Sequence, residues 1–254
     1  MDLGIKNKIA LVQGASGGLG FAAATELARE GCQVAICSRD KKKIGQAAEL
    51  IRSNTGAQVI GYPCDLNDPQ SRSDLLESIR SDLGAIDILV ANNGGPPSGD
   101  ALSFSDEQWQ AALNSNLVAM KDSAQAVLPG MIDKQWGRII FITSVSVKQP
   151  IDTLILSNTA RAGLTGFAKT LSSKVAPEGV TVNMVLPGIH ETDRVKSLHA
   201  ELADPSLIAK DIPMGRMGQP EELAAVIAFL ASARASYITG QSVVVDGGMV
   251  KGLF

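Results

Sequence analysis

The chain has 254 residues, with 23 Lys plus Arg against 26 Asp plus Glu and a formal charge of −3. A balance this close to neutral gives no electrostatic reason to expect nucleic acid or an anionic membrane surface as partner. Hydrophobic residues at 45% and charged residues at 19% suit a chain that buries a large core, and no linker, charge block or internal repeat divides it, so a single domain over residues 1–254 is expected.

No stretch approaches the roughly eighteen apolar residues that span a bilayer, and the N-terminal "MDLGIKNKIALV" lacks the apolar core of a signal peptide, so a cytoplasmic location is expected. Cys32, Cys37 and Cys64 are odd in number, lie in strand-like segments and have no metal-ligand spacing, and are read as buried thiols in a reducing compartment.

Along the chain, short apolar runs alternate with helical patterns. "KIALVQG" precedes a helix from about residue 18 to 30, and "CQVAICS" precedes a helix over "DKKKIGQAAELIRS". "QVIGYPCD", "IDILVANN", "GRIIFITS", "VTVNMVLPG" and "QSVVVDGG" continue the order, with one long helix expected over residues 106–133. Trp109 and Trp136, flanking that helix, are read as packing anchors. Seven strands with almost no polar alternation imply a parallel sheet covered on both faces. Right-handed crossovers then make it a doubly wound, Rossmann-type α/β fold, whose ligands sit outside the carboxyl ends of the strands.

The first strand leads into "QGASGGLG", with glycines at 14, 17, 18 and 20 opening a helix. Glycine there permits a tight turn and lets backbone N–H groups and the helix N-terminus approach a pyrophosphate. The second strand ends "ICSRD". A site selective for NAD usually has an acid there for the ribose 2′-hydroxyl, whereas Ser38 followed by Arg39 favours the 2′-phosphate of NADP(H). The plainer reading is that Arg39 and Lys41 to Lys43 form a solvated helix start with Asp40 as N-cap. Asp65, leaving the third strand, either accepts from an adenine amino group or caps the next segment.

Taken together these segments resemble the short-chain dehydrogenase/reductase family, over nearly the whole chain. Gly14, Gly18 and Gly20 match its Thr-Gly-x-x-x-Gly-x-Gly turn, with Gln13 in place of Thr. Ala91, Asn92, Asn93 and Gly94 stand where the family has Asn-Asn-Ala-Gly, matching at the second and fourth positions. Asn116 falls on the family's helix Asn of the proton relay, Ser144 on the substrate-orienting Ser, and "YITGQSVVVDGG" on the last strand and C-terminal signature. Within the family, the chain is most similar to the 3-oxoacyl-(acyl-carrier-protein) reductases.

The resemblance implies nucleotide contacts at Gly14, Ser16, Gly18, Leu19, Gly20, Ser38, Arg39, Asp65, Leu66, Asn92, Gly94 and Arg161. Pro187, Gly188 and Thr192 would flank the nicotinamide. It further implies a carbonyl or alcohol substrate under a lid at residues 190–214, and a homodimer or homotetramer built on the long helices.

One departure is chemical. The family's catalytic Tyr and Lys fall, counted from Ser144, on Ser157 and Arg161. A phenol titrates near pH ~10 and can be drawn toward neutrality by a cation; a serine hydroxyl is far weaker and shorter. Arg does not relay protons as Lys does. The catalytic set is therefore Asn116, Ser144, Ser157 and Arg161, with the proton expected from His190, from Lys148 or from a water held by Ser144 and Ser157; Tyr62 and Tyr237 fall elsewhere. The competing expectation is a non-catalytic NADP(H)-binding protein or partner subunit.

Overall fold

The computed structural model describes residues 1–198 and 209–253. Its frame is one sheet of β1 (Ile9–Gln13), β2 (Gln33–Ser38), β3 (Val59–Pro63), β4 (Ile88–Ala91), β5 (Gly137–Ile142), β6 (Val180–Pro187) and β7 (Ser242–Val245). Every pairing is parallel and the spatial order is 3-2-1-4-5-6-7. The reversal of strand order between β1 and β4 leaves a crevice at their carboxyl ends, where such sheets bind ligands. The doubly wound fold expected from the alternating runs is the one observed.

Each strand alternates between two cores. Val12, Ile36, Val90 and Ile142 face a layer that includes α1 (Gly18–Arg29), α2 (Lys41–Thr55) and α8 (Pro220–Ala231). Leu11, Cys37, Leu89 and Phe141 face the opposite layer, which includes α3 (Pro69–Asp82), α5 (Ala119–Asp133) and α6 (Ile155–Val175). Because both faces are covered, period-two polarity is lost and all six residues of β5 are buried. The three cysteines are free and buried, as expected of core thiols.

Local chemistry sets the helix ends. The Asp40 carboxylate accepts from the amides of Lys42 and Lys43, and Gly56 ends α2 in the left-handed conformation. Asp68 caps α3 with Pro69 in its first turn. By contrast α1 has Gly17 at its N-cap and so no side-chain cap.

The long helix expected over residues 106–133 is corrected to three pieces. These are α4 (Asp106–Leu113), a π turn at Asn114–Val118, and α5. A π turn carries an extra residue in the ladder, which periodicity over so short a stretch does not reveal. The tryptophans also divide. Trp136 packs on the core between Lys8 and Arg138, with their cations 4.0 and 4.4 Å from its ring centre; Trp109 is half-buried on α4 and belongs to neither core layer. After β6 the chain turns into the short α7 (Asp193–Leu198), beyond which residues 199–208 of the expected lid lie outside the described residues.

Candidate active site

The carboxyl ends of β1, β4, β5 and β6 surround a cavity of about 410 Å³. One wall is the glycine turn, with Gly14, Ser16, Gly18 and Leu19 among its lining. Gly14 and Gly18 hold φ of +59° and +56°, the left-handed region that favours glycine. Gly17 and Gly94 have open space where a Cβ would stand, so backbone is laid bare to the cavity. With no side chain capping α1, its first amides remain available to an anion. These features fit a dinucleotide pyrophosphate.

Gly20 has a different job from the one its place in the turn implies. It does not line the cavity, and a Cβ there would fall inside the contact radius of the Gly14 carbonyl oxygen, so its role is close packing of α1 on β1. Leu66 is buried in the core, and Arg72 donates to its carbonyl at 2.6 Å, so its side chain is withdrawn from any ligand. Ser38, Arg39 and Asp65 lie beyond the cavity, Ser38 as the last residue of β2 and the other two just past β2 and β3. Arg39 is exposed and makes no ion pair among the described residues. Asp65 uses Oδ1 to accept from the Asn67 amide at 3.0 Å, so it caps its own segment.

The other wall belongs to β5 and α6. Arg161 is buried, about 7% exposed, as is Ser157. Its Nη1 donates to the carbonyls of Ile142 and Thr143 at 2.9 and 3.0 Å, and its Nε donates to Ser157 Oγ at 3.1 Å. Serine and arginine four residues apart thus share a helix face and a hydrogen bond. Burial, and then the nearby charge of Arg194, push the Arg161 guanidinium down to about 10. Ser144 Oγ accepts from the Ser146 amide at 3.1 Å. Both serine oxygens therefore already accept a bond, and both hydroxyl protons are left to donate. Ser144, Ser157 and Arg161 all line the cavity.

Asn92, Pro187, Gly188 and Thr192 complete it. Gly188 is required by the close approach of Asp246, which a Cβ would strike at 2.6 Å, and its amide donates to Val245 at 2.9 Å. Asn116 lies outside the lining. It is fully buried in the π turn, its Nδ2 donating to Ser115 Oγ at 2.6 Å and its Oδ1 without a partner among the described residues. Asn93 ties the end of β4 to that turn through the Ser115 carbonyl at 3.0 Å.

Two proton-donor candidates lose their standing. Lys148 is exposed and lines neither this cavity nor the adjoining one. His190 does line it, but is 2% exposed and burial holds its pKa below the ordinary 6.5, so the ring is neutral at pH 7. Its Nδ1 lies 3.3 Å from the Gly188 carbonyl, which can only accept, so the proton is assigned there and Nε2 is left as an acceptor. The tyrosines are remote in bonding as well: Tyr62 donates to Asp82 at 2.8 Å and Tyr237 is fully exposed.

A second cavity of about 800 Å³ adjoins the first and shares Ser144, Leu154, Pro187, Gly188 and Val195 with it. Its wall is mixed: Val145, Ile151, Ile189, Ile212 and Met249 give it apolar surface, and Lys210, Asp211 and Lys251 line it as well. Arg194 is the residue that sequence reasoning missed. It lines the first cavity, and its Nη2 donates to the Pro96 carbonyl at 2.7 Å. Its position two residues past Thr192 was the available clue, but nothing in the sequence brings it to the segment leaving β4.

Comparisons with known proteins bear on the family and the fold. Residues 14–250 match the family described as enoyl-(acyl carrier protein) reductase. The chain is 38% identical over 247 residues to the 3-oxoacyl-[acyl-carrier-protein] reductase FabG of Escherichia coli (strain K12), covering 97% of this chain and 99% of that one. The chain belongs to the short-chain dehydrogenase/reductase family. Among solved family structures, L-sorbose reductase from Gluconobacter frateurii, complexed with NADPH and L-sorbose, superposes with a TM-score of 0.94 at 32% identity over 100% of both chains. YwfH, an NADPH-dependent reductase involved in bacilysin biosynthesis, does so at 0.93 and 33%, covering 98% of this chain and 100% of its own. Among the described residues no His, Cys, Asp and Glu cluster is arranged to hold a metal, and no helix is long and apolar enough to cross a membrane.

Proposed function

We propose that the protein is an NADP(H)-dependent oxidoreductase of altered active site that reduces a carbonyl on a small molecule, with 3-oxoacyl compounds among the candidates. The observation that carries this is the pair of serine hydroxyls, each with its oxygen engaged and its proton free, lining a cavity beside a buried guanidinium. NADPH, when bound, supplies the hydride. The uncapped start of α1 would hold its pyrophosphate, Arg39 would meet the 2′-phosphate, and Gly188 and Thr192 would flank the nicotinamide end. That relatives of known structure are named as NADPH-dependent or NADPH-bound supports this cofactor.

Ser144 and Ser157 donate to the carbonyl oxygen, and Arg161 adds positive potential where negative charge develops. Because Arg161 Nε donates to Ser157, it polarises that hydroxyl without surrendering its own proton. The proton that completes the alcohol then comes from water through the serine hydroxyls. A positioned acid is worth about 10² to 10⁴ in rate, so turnover below that of a tyrosine-bearing relative is expected. Residues 190–214 are assigned as the substrate lid. A cytoplasmic homodimer or homotetramer belongs to the same proposal, with sedimentation as its check.

The test is consumption of NADPH with a panel of ketones that includes 3-oxoacyl thioesters. Turnover that disappears in Ser144→Ala supports the enzyme. Tight NADPH binding without turnover on any member would favour the competing assignment, a nucleotide-binding partner subunit.

A further inference from the structure

Arg161 is a buried cation without a counter-ion. Among the described residues neither it nor Arg194 forms an ion pair, and the charge that most affects Arg161 is the like charge of Arg194. Asp193 also lines the cavity and pairs with neither guanidinium; it and Arg194 are exposed, whereas Arg161 is buried. A buried charge left this way is strongly unfavourable unless something arrives to neutralise it. Of the Arg161 nitrogens, Nε and Nη1 are engaged and Nη2 is not, while Arg194 is held through Nη2 alone.

The dinucleotide pyrophosphate is poorly placed to supply the missing charge to Arg161. Arg161 is fixed to the last carbonyls at the end of β5, and the glycine turn leaves β1, with β4 between them. Two strand spacings separate these points, about 10 Å. What lies next to Arg161 is Ser144, and beyond Ser144 the 800 Å³ cavity, where Val145, Ile151, Ile189 and Ile212 offer apolar surface beside Lys210, Asp211 and Lys251.

We infer that the substrate is an oxo acid, its carboxylate received by Arg161 and Arg194 and its apolar body lodged in the larger cavity. The reducible carbon then lies between them, at Ser144. A carboxylate presents two oxygens in a plane, the arrangement guanidinium donors recognise. This rests on the oxidoreductase assignment above and narrows its substrate from ketones in general to ketones bearing an acid group.

The test separates the two claims. Protein saturated with NADP⁺, and protein alone, are titrated calorimetrically with 4-methyl-2-oxopentanoate and with its methyl ester. The acid is expected to bind about tenfold to a hundredfold more tightly than the ester. Arg194→Gln should remove most of that preference, Arg194→Lys should keep part of it, and NADPH affinity should stay within about threefold in both, a difference too small to represent a lost charged hydrogen bond. Equal binding of acid and ester overturns the inference, as does a preference that survives in Arg194→Gln. Competition by inorganic phosphate equal to that of the acid overturns it too. A loss in Arg194→Gln that falls equally on NADPH assigns the guanidinium to the cofactor and overturns it as well. If no dinucleotide binds, the oxidoreductase assignment fails, and the titration of the protein alone still decides whether the carboxylate site exists.

Discussion

The two walls of the cavity are built from different materials. At the β1 end the site is main chain: glycines with φ near +60°, open space at Gly17 and Gly94, and an uncapped helix start. At the β5 end it is side chain: Ser144, Ser157 and Arg161, held by named hydrogen bonds. A backbone cradle depends on what is absent, since any Cβ interferes, so it tolerates few alternatives. A side-chain wall can exchange one donor set for another while the strands beneath stay put. That is how a chain could keep a glycine turn while the residues of its facing wall change.

If the walls divide labour in this way, substitutions should separate cleanly. The largest effect is expected on the side-chain wall: Ser144→Ala should lower kcat about 10²- to 10³-fold, the loss typical of one oxyanion donor, with NADPH affinity unchanged. A drop in NADPH affinity instead would mean that the two walls are not independent. Next is the reach beyond β2. Arg39→Gln should reduce the preference for NADPH over NADH by about tenfold to a hundredfold, as a lost charge-assisted bond to phosphate would, measured as the ratio of the two dissociation constants.

The main-chain wall is sharpened by a pair of glycines. Gly20→Ala should destabilise the fold by about 1–3 kcal/mol through overpacking against the Gly14 carbonyl, read from the denaturation midpoint. Gly17→Ala, in extended backbone with free space, should leave stability within about 0.5 kcal/mol yet weaken NADPH binding. If both behave alike, the cradle is structural and not a ligand surface.

The smallest effect is a pH dependence at His190. Its folded-state pKa lies below 6.5, so as pH falls through 6.5 the unfolded chain takes up a proton that the buried ring does not. Stability should then decline with acidity from that point until the folded-state pKa is reached. His190→Leu should flatten this part of the profile of Tm against pH. An unchanged slope would mean that the ring is not neutral in the folded protein.

The strands, the glycine turn and the spacing of Ser144, Ser157 and Arg161 could all be read from the chain, because each is a local pattern: apolar runs, glycine at fixed offsets, and residues four apart on one helix face. The break in the helix at Asn114–Val118 could not, since a single extra residue barely disturbs a helical period. Nor could the withdrawal of Leu66 into the core, or the exposure of Lys148 and burial of His190, which depend on where loops settle against distant elements.

By itself, then, the amino-acid order determined a parallel, doubly covered sheet and the glycine turn at its carboxyl edge, because period and glycine placement act over a few residues at a time. Only tertiary packing decided that Arg161 would lie buried against the end of β5 with Ser157 in its grip, and that Arg194 would come across from α7 to face the same cavity. Hydrogen bonds and charges between residues far apart in the chain have no signature in its local pattern. They exist once the strands have brought those side chains to one edge.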